Sequence, residues 1–208
     1  MKAEHLYKSF VTASGTCRVL TDLSFEAGPG ITGLMGPSGT GKTTLLRILA
    51  GLEKPDSGST DTEGKRIGYV FQEDRLLPAR TVRQNLAFVQ ATPDPERIRT
   101  VLEMTGLTDK ADSYPDELSG GMKRRTSLAR ALVGNPENLL LDEPFTGLDP
   151  ELITGLTQDI KKIVKENGIT AVAVSHQKDE LNALCSRIVR LEDLNGSEKA
   201  ADSGDDRE

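Results

Sequence analysis

The sequence predicts an α/β protein with a mostly parallel sheet, and two observations support this class. Segments with strand-like patterns alternate along the chain with segments of helical spacing. The run Leu139–Leu141 is continuously apolar, which is typical of a central parallel strand that is covered on both faces. A length of 208 residues fits one domain, or one core with a modest subdomain.

The first predicted elements are strands. Residues 5–26 alternate between apolar and polar side chains, with a loop near residues 12–16. The Gly-Pro-Gly sequence at 28–30 interrupts the chain, and residues 31–35 form a short apolar strand. A helix is expected directly after it, at residues 43–52.

The turn between this strand and this helix carries a phosphate-binding motif. Its sequence, Gly36-Pro-Ser-Gly-Thr-Gly41-Lys42-Thr43, matches G-x-x-x-x-G-K-[ST] in the strand–helix context that the motif requires. Backbone N–H groups of such a loop surround phosphate oxygens, and the helix N-terminus adds a partial positive charge. We therefore expect ATP here, with Lys42 on the β- and γ-phosphates, the Thr43 hydroxyl on Mg²⁺ and Thr44 at the α-phosphate. The predicted ATP-binding residues of this loop are Gly36, Pro37, Ser38, Gly39, Thr40, Gly41, Lys42, Thr43 and Thr44.

Two adjacent carboxylates, Asp142 and Glu143, follow the predicted buried strand within residues 138–144. The metal of a phosphate-loop site needs a second anchor, usually an acidic residue at a strand end, and we assign this to Asp142, acting through a water. Two neighbouring carboxylates at a buried strand end lower stability unless something binds there. Glu143 is the predicted general base, or the residue that polarises the attacking water.

Residues from about 74 to 134 are predicted to form a helical insertion between strands. Residues 81–90 and 95–107 show helical spacing, and the preceding residues 66–72 read as a strand. Ser119 fits the N-cap of a further helix that begins at one of the two glycines after it.

The remaining elements return to the α/β alternation. A helix is predicted at residues 150–168, a buried strand at 169–176 and a last strand at 187–191. From about residue 195 the chain is polar, small and acidic, so disorder is expected there. The predicted organisation is one domain over residues 1–194 and an acidic tail at 195–208.

Composition narrows the function classes. The net charge of −6 and the sequence pI of about 5.1 argue against a duplex-DNA binder. Cys17 and Cys185 are far apart and in no metal-ligand spacing, as expected for reduced thiols in a cytoplasmic protein. The chain has no signal-peptide pattern and no apolar run near ~18 residues. If the protein works at a membrane, another chain is expected to supply the spanning part.

Five motifs in a fixed order carry a family resemblance. After the phosphate loop come LSGGMKRRTSLARAL at 118–132, NLLLDEP at 138–144, GLDP at 147–150 and SHQKDE at 175–180. From about residue 4 to residue 192, the chain resembles the ATP-binding subunit of ABC transporters. The resemblance implies a P-loop NTPase (RecA-like) core with a mostly parallel sheet, an N-terminal antiparallel β-subdomain and an inserted α-helical subdomain.

The resemblance also implies roles for single residues. In the family, two nucleotide-binding domains pack head to tail, so each LSGG segment closes on ATP held by the other domain. Gln72 matches the glutamine loop, which senses Mg²⁺ and the attacking water. His176 matches the switch histidine, which contacts the γ-phosphate and steadies the base, and Asp149 matches the loop that couples the two sites. The residues implied to contact ATP in trans are Ser119, Gly120 and Gly121.

Other positions are less well defined by the family pattern. An aromatic residue near the N-terminus stacks on adenine in the family, and Phe10 is the best match, with Tyr7 as the alternative. Met122 stands where glutamine is commoner, and Gln177 where aspartate often follows the histidine. The chain between residues 58 and 69 is shorter than usual, which suggests a trimmed hairpin.

The region Gln72–Leu86 is implied to receive a coupling helix from a transmembrane permease, with Leu76, Leu77 and Pro78 as an apolar floor. This stretch is similar to import ATPases of the nitrate, sulfonate and taurine type. The resemblance thus implies a peripheral subunit at the inner face of the membrane, with a permease and a solute-binding protein as partners. The second nucleotide-binding domain is either an identical copy or a paralogue.

Two other interpretations compete with transport. A soluble ABC-type ATPase acting on nucleic acid or ribosomes is disfavoured, because the chain is acidic and has neither a long coiled-coil insertion nor a second cassette. No nucleic-acid partner is therefore expected. A degenerate module that binds ATP without hydrolysis is disfavoured because all the catalytic groups, Lys42, Gln72, Glu143 and His176, are present.

Overall fold

A computed structural model of the protein describes residues 1–13 and 15–194, and the predicted tail lies outside these residues. Within them, the chain forms a five-stranded sheet and a three-stranded sheet. In chain order the strands are β1 (Lys2–Thr12), β2 (Gly15–Glu26), β3 (Gly30–Met35), β4 (Ser57–Thr60), β5 (Ile67–Val70), β6 (Asn138–Asp142), β7 (Thr170–Val174) and β8 (Arg187–Arg190). The helices are α1 (Lys42–Leu49), α2 (Val82–Ala87), α3 (Pro95–Met104), α4 (Gly120–Leu132), α5 (Pro150–Glu166) and α6 (Lys178–Leu184).

The five-stranded sheet is parallel throughout and has the order β5-β6-β7-β3-β8. The inner strand β6 is fully buried, because helices or strands cover both faces. Leu139 and Leu141 point into one core, with α2 to α6, while Leu140 points into the other, with α1 and the N-terminal strands. The predicted α/β class with a mostly parallel sheet is confirmed.

The N-terminal strands form a separate antiparallel sheet with the order β2-β1-β4. This sheet packs over α1 through a shared core that includes Leu6, Leu20 and Leu45. The strand β4 pairs with β1, and the next strand, β5, joins the five-stranded sheet, so these two strands do not form the trimmed hairpin predicted between residues 58 and 69. Val19 and Leu20 of β2 lie beside Gly41, directly before the first turn of α1.

Helices α2, α3 and α4 lie between β5 and β6 in the chain, which is where a helical insertion was predicted. The helix predicted over residues 81–90 ends earlier, at Ala87. At its start, Thr81 caps the helix, and the buried Asn85 donates from Nδ2 to the carbonyls of Leu77, Arg80 and Thr81, which fixes the turn before the helix. No helix in the described part of the chain combines the length and hydropathy that crossing a membrane requires.

The helix α6 was not predicted. It spans seven residues, and its N-cap Gln177 makes no side-chain cap hydrogen bond. A short helix without a cap signal leaves little trace in a sequence. It packs against α5 and β3 and covers one end of the larger core.

Candidate nucleotide-binding site

A cavity of about 530 Å³ opens at the carboxyl edge of the parallel sheet. Ligands of open α/β sheets bind at this edge, beyond the ends of the strands. The loops after β3, β5, β6 and β7 all reach it, and the antiparallel sheet closes one side. The predicted site residues that line it are Phe10, Ser38, Gly39, Gly41, Lys42, Thr43, Thr44, Gln72, Glu143 and His176.

The phosphate loop depends on glycine at two positions. Gly39 has φ 81° and Gly41 has φ 99°, a left-handed backbone that side chains disfavour. A Cβ at Gly41 would also lie 2.7 Å from Cγ1 of Val19 on β2. The loop can therefore curl tightly against the antiparallel sheet and turn its N–H groups towards the cavity.

The ammonium of Lys42 is held across the mouth of this loop. Its Nζ donates to the carbonyl oxygens of Gly36 and Pro37, each at 2.7 Å, and Thr40 Oγ1 donates to Pro37 O at 2.9 Å. Lys42 is buried at the first position of α1, so its charge adds to the positive end of the helix. The loop thus concentrates positive charge and backbone donors in one place.

Thr43 and Asp142 meet between α1 and β6. The Thr43 hydroxyl donates to Oδ1 of Asp142 at 3.1 Å, although 99 residues separate the two in the chain. A hydroxyl beside one carboxylate is a donor set that fits Mg²⁺, which takes oxygen ligands and usually binds through few protein groups plus substrate phosphates. The side chain of Gln72, the third predicted ligand, is exposed at the same cavity.

Tyr69 also contacts Asp142, which the sequence analysis did not foresee. Its hydroxyl donates to Oδ2 of Asp142 at 3.0 Å. Burial and the neighbouring carboxylate of Asp142 raise the pKa of Tyr69, so the phenol stays protonated and remains a donor. The sequence predicts strands at both positions. That β5 and β6 are neighbours, with Tyr69 opposite Leu140, emerges only from the structure.

Glu143 and His176 form a pair at the cavity. His176 Nδ1 lies 2.9 Å from Oε2 of Glu143. The backbone of Glu143 is left-handed, with φ 49°, and its N–H donates to the carbonyl of Val174 at 2.9 Å. This bond continues the pairing of β6 with β7, and the left-handed φ then changes the direction of the chain, so the carboxylate lies against His176.

The structure distinguishes between the two aromatic residues predicted near the adenine. Phe10 lines the cavity, opposite Cys17 on the β1–β2 hairpin, whereas Tyr7 lies outside it beside β4. Lys8 Nζ lies 5.1 Å from the centroid of the Phe10 ring and also pairs with Glu53 at 2.7 Å. Lys8 thereby fixes the Phe10 strand to the chain that follows α1.

The LSGG segment lies apart from this cavity. Ser119 caps α4, and its Oγ accepts from the N–H of Met122 at 3.3 Å. Gly121 packs on Leu152 of α5, where a Cβ would come within 3.0 Å of the leucine methyls. Asp149 is likewise a cap, with Oδ1 accepting from Leu152 N at 2.9 Å. None of Ser119, Gly120, Gly121 or Asp149 lines the cavity that the described residues form around Lys42.

Two arginines of α4 hold the loop after β5. Arg124 is buried and donates to the carbonyls of Phe71 and Gln72, each at 2.8 Å, and pairs with Asp74 at 3.3 Å. Arg130 donates to the carbonyls of Asp74 and Arg75. The sequence analysis missed both arginines. A local sequence pattern shows only the positive charge of these arginines, because it does not predict hydrogen bonds to residues more than 50 positions away.

A second cavity, of about 390 Å³, lies between β5 and the inserted helices, and we call it the β5 groove. Of the predicted floor residues, Leu77 lines it, while Leu76 and Pro78 do not. Phe88 and Val89 line it as well, and both are exposed, at 65% and 49% of their surface. These two residues were not predicted as part of the surface. The groove residues used below are Tyr69, Phe71, Arg75, Leu77, Phe88 and Val89.

Comparison with known proteins places these features in a family. The family described as "ABC transporter" matches residues 20–146. The chain is 36% identical over 211 residues to the methionine import ATP-binding protein MetN of Geobacillus kaustophilus, covering 91% of this chain and 62% of MetN. It is 39% identical over 208 residues to the nitrate import ATP-binding protein NrtC of Synechococcus elongatus, covering 92% of this chain and 32% of NrtC.

Solved structures agree. The dimeric structure of MJ0796, a bacterial ABC transporter cassette, superposes with a TM-score of 0.78 at 29% identity, over 91% of this chain and 93% of that one. A dimeric post-hydrolysis state of the same cassette, bound to ADP and Pi, gives 0.79 at 28% identity, over 93% and 94%. The fold is that of an ATP-binding cassette. The chain belongs to the ABC transporter family, and it spans less than two thirds of the length of MetN and of NrtC.

Proposed function

We propose that the protein is the ATP-hydrolysing subunit of an ABC importer, working as one of a pair of nucleotide-binding domains on a separate permease. The observation that carries the proposal is the Glu143–His176 contact of 2.9 Å at the cavity that the phosphate loop lines. A nucleotide-binding module without turnover has no need for a paired carboxylate and imidazole at this place. Residues 1–194 form the proposed nucleotide-binding domain, with the helices of residues 74–134 as its inserted subdomain.

The proposed reaction is hydrolysis of ATP to ADP and inorganic phosphate. Water attacks the γ-phosphorus while the bond to the bridging oxygen of ADP breaks. Glu143 accepts the proton of that water, and His176 orients Glu143 and contacts the γ-phosphate. Lys42 neutralises the charge on the β- and γ-phosphate oxygens. When bound, Mg²⁺ supplies further charge neutralisation at these oxygens, held by Thr43 and Asp142 with Gln72 nearby.

The second half of the proposed site belongs to another domain. Ser119 and the two glycines after it sit at the N-terminus of α4, where backbone N–H groups and the helix dipole favour an anion. They lie outside the cavity of their own chain, so the anion they fit is the γ-phosphate held by a facing domain. The dimeric state of the MJ0796 cassette supports this arrangement.

The β5 groove is the proposed seat of the permease. Its exposed Phe88 and Val89 offer apolar contact area, and its wall includes the loop that Arg124 fixes to α4. ATP-driven closure of two domains would therefore move a docked coupling helix. The named relatives are import subunits for methionine and for nitrate, so the ATPase sequence does not define the solute. We propose a place at the cytoplasmic face of the membrane, with a solute-binding protein in the complex.

Hydrolysis by the purified protein tests the proposal. Release of phosphate from Mg-ATP is expected for the wild-type chain and not for Lys42→Ala, which removes the ammonium that contacts the phosphates. Lys54→Ala, a change of another lysine outside this cavity, is the matched control and should hydrolyse like the wild type. Equal rates for the wild type and Lys42→Ala would overturn the enzymatic role.

A further inference from the structure

We propose that Tyr69 is a positioning residue that joins the metal-binding carboxylate of Asp142 to the β5 groove. The inference rests on the proposed function, because it assigns Asp142 to the metal and the groove to a protein partner. It adds a residue with no role in the predicted site, and it names a physical route between the two places.

The first part of the route is the hydrogen bonding of Asp142. Oδ1 accepts from Thr43, which is itself a proposed ligand, and Oδ2 accepts from the Tyr69 hydroxyl. The carboxylate is buried, with 4% of its residue surface exposed, so solvent contributes little to its orientation. Tyr69 therefore holds the second oxygen of the carboxylate and, together with Thr43, sets its rotation. Hydrogen-bond partners of this kind orient a ligand and commonly contribute about 10- to 100-fold to metal affinity or activity.

The second part is the ring of Tyr69. It stacks on Phe71, with centroids 4.3 Å apart and planes at 30°. The guanidinium of Arg75 lies over the other ring of this pair, 4.6 Å from the centroid of Phe71. All three side chains line the β5 groove and form one stacked layer. One face of this layer borders the groove, and the Tyr69 hydroxyl at its other end contacts Asp142.

The third part of the route is the contact by which a partner bound in the β5 groove would displace the stacked side chains. Arg75 has a left-handed backbone, with φ 46°, and its carbonyl is held by Arg130 of α4. The exposed half of the groove is apolar, at Phe88 and Val89, so an apolar helix seated there would press on the Phe71 ring. Because the two rings are in stacking contact, a shift of Phe71 would displace the Tyr69 ring together with its hydroxyl. The occupant of the groove would thereby adjust the ligand geometry at Asp142.

This route differs from the one through Gln72. Gln72 belongs to the loop after β5, and its exposed side chain lines the nucleotide cavity. Tyr69 lies within β5, lines the β5 groove and reaches Asp142 through its hydroxyl. Loss of the Tyr69 hydroxyl alone leaves the hydrogen bond between Arg124 and the carbonyl of Gln72 in place. The two contributions can therefore be measured separately.

The test uses the full chain with Tyr69→Phe, which removes the hydroxyl and keeps the ring. Mn²⁺ replaces Mg²⁺ as the probe, and its binding in the presence of a non-hydrolysable ATP analogue is followed by electron paramagnetic resonance. We expect the Kd for Mn²⁺ to rise about tenfold, while the Kd for the analogue in EDTA stays unchanged. Tyr114→Phe, at an exposed tyrosine that does not line the cavity, is the matched control and should leave both constants unchanged.

The groove half of the route needs a second variant. Phe71→Ala removes the stacking partner, and we expect it to raise the Kd for Mn²⁺ about threefold in the wild-type background and not at all in Tyr69→Phe. Non-additivity of this kind is the sign that Phe71 acts through the hydroxyl. If Tyr69→Phe does not fold, as judged by circular dichroism, Phe71→Ala alone decides, and an unchanged Kd overturns the inference.

The outcomes separate the inference from the function beneath it. If the wild type hydrolyses ATP and Tyr69→Phe binds Mn²⁺ as the wild type does, the Tyr69 route is refuted and the proposed ATPase activity is retained. A wild-type chain that neither hydrolyses ATP nor binds Mn²⁺ with the analogue refutes both. Fully additive effects of Tyr69→Phe and Phe71→Ala would keep Tyr69 as a positioning residue but remove the link to the groove.

Discussion

The guanidinium of Arg124 donates to the carbonyl oxygen of Gln72 at 2.8 Å, across 52 residues of chain. Arg124 lies one turn into α4, the helix whose N-terminus is proposed to face the ATP of another domain. Gln72 lines the cavity of its own domain. The bond therefore connects the helix that is proposed to meet the neighbouring ATP with the loop that lines the chain's own cavity.

This relationship predicts a loss of stability and of activity in Arg124→Ala. The change removes two hydrogen bonds from a charged donor, to the carbonyl oxygens of Phe71 and Gln72, which costs about 2 kcal/mol or more of unfolding free energy. The loop would also lose its fixed position, so hydrolysis should fall roughly tenfold or more. Urea unfolding and phosphate release measure the two effects.

The control is Arg83→Ala, which removes an exposed pair with Asp112. An exposed ion pair contributes about 1 kcal/mol at most, so both measurements should stay near the wild-type values. Similar losses in Arg83→Ala and Arg124→Ala would show that the loop is not held specifically by Arg124.

Glu143→Gln should slow hydrolysis and stabilise a dimer. The amide keeps the size of the side chain but cannot accept the proton of water, and general bases commonly contribute 100-fold or more, as an order of magnitude. Bound ATP would then hold two domains together, and size-exclusion chromatography with light scattering should show a dimer in ATP and a monomer in ADP. A variant that binds ATP and stays monomeric at high concentration would contradict the shared site for the isolated subunit.

Ser119→Arg should abolish turnover and leave ATP binding at the phosphate loop nearly unchanged. The reason is that Ser119 lies outside the cavity of its own chain. Turnover is measured as phosphate release, and binding with a fluorescent ATP analogue. Ser59→Arg, at an exposed serine of β4, is the control and should keep both.

Mixing variants separates a site shared between chains from one within a chain. Ser119→Arg keeps its phosphate loop, and Lys42→Ala keeps its LSGG segment, so a mixed dimer contains one complete site. Each variant alone should be inactive, and an equal mixture should regain hydrolysis. No recovery in the mixture, under conditions where the wild type dimerises, would argue that Ser119 acts on ATP in its own chain.

The two cysteines should differ in reactivity. Burial raises the pKa of the Cys185 thiol to about 12, so this group is neutral at pH 7, and the thiolate is the reactive form. Cys17 is exposed on β2. Mass spectrometry after brief maleimide treatment should therefore show one label on the native protein and two after unfolding. Cys17→Ser should remove the native label, and fast labelling of Cys185 in the folded chain would contradict its burial.

The sequence predicted the parts of the site that are contiguous in the chain. The phosphate loop, the Asp142–Glu143 pair and the Ser119 cap each show a local pattern that physical chemistry can interpret, and the structure puts Lys42, Glu143 and His176 around one cavity. The roles of these residues remain predictions, since their placement alone does not measure them.

The contacts that a sequence pattern could not predict join distant segments. Tyr69 reaches Asp142 because β5 and β6 are neighbours in a particular register, and a one-residue slip would turn the phenol to the other face. Arg124 and Arg130 look like solvated charges on an ordinary helix until the chain brings the loop after β5 against them. These features depend on tertiary packing, which no local window of residues contains.

At Glu143, the left-handed backbone sets the stability of the fold against the proposed catalytic role of the side chain. A glutamate at φ 49° carries backbone strain on the order of 1 kcal/mol or more, which a glycine would not. Selection for a sturdier fold would therefore favour losing the side chain at the point where the proposed chemistry requires it. A glycine at this position is therefore expected to stabilise the fold of a cassette that does not hydrolyse ATP. A cassette that hydrolyses ATP keeps the glutamate and, with it, the backbone strain.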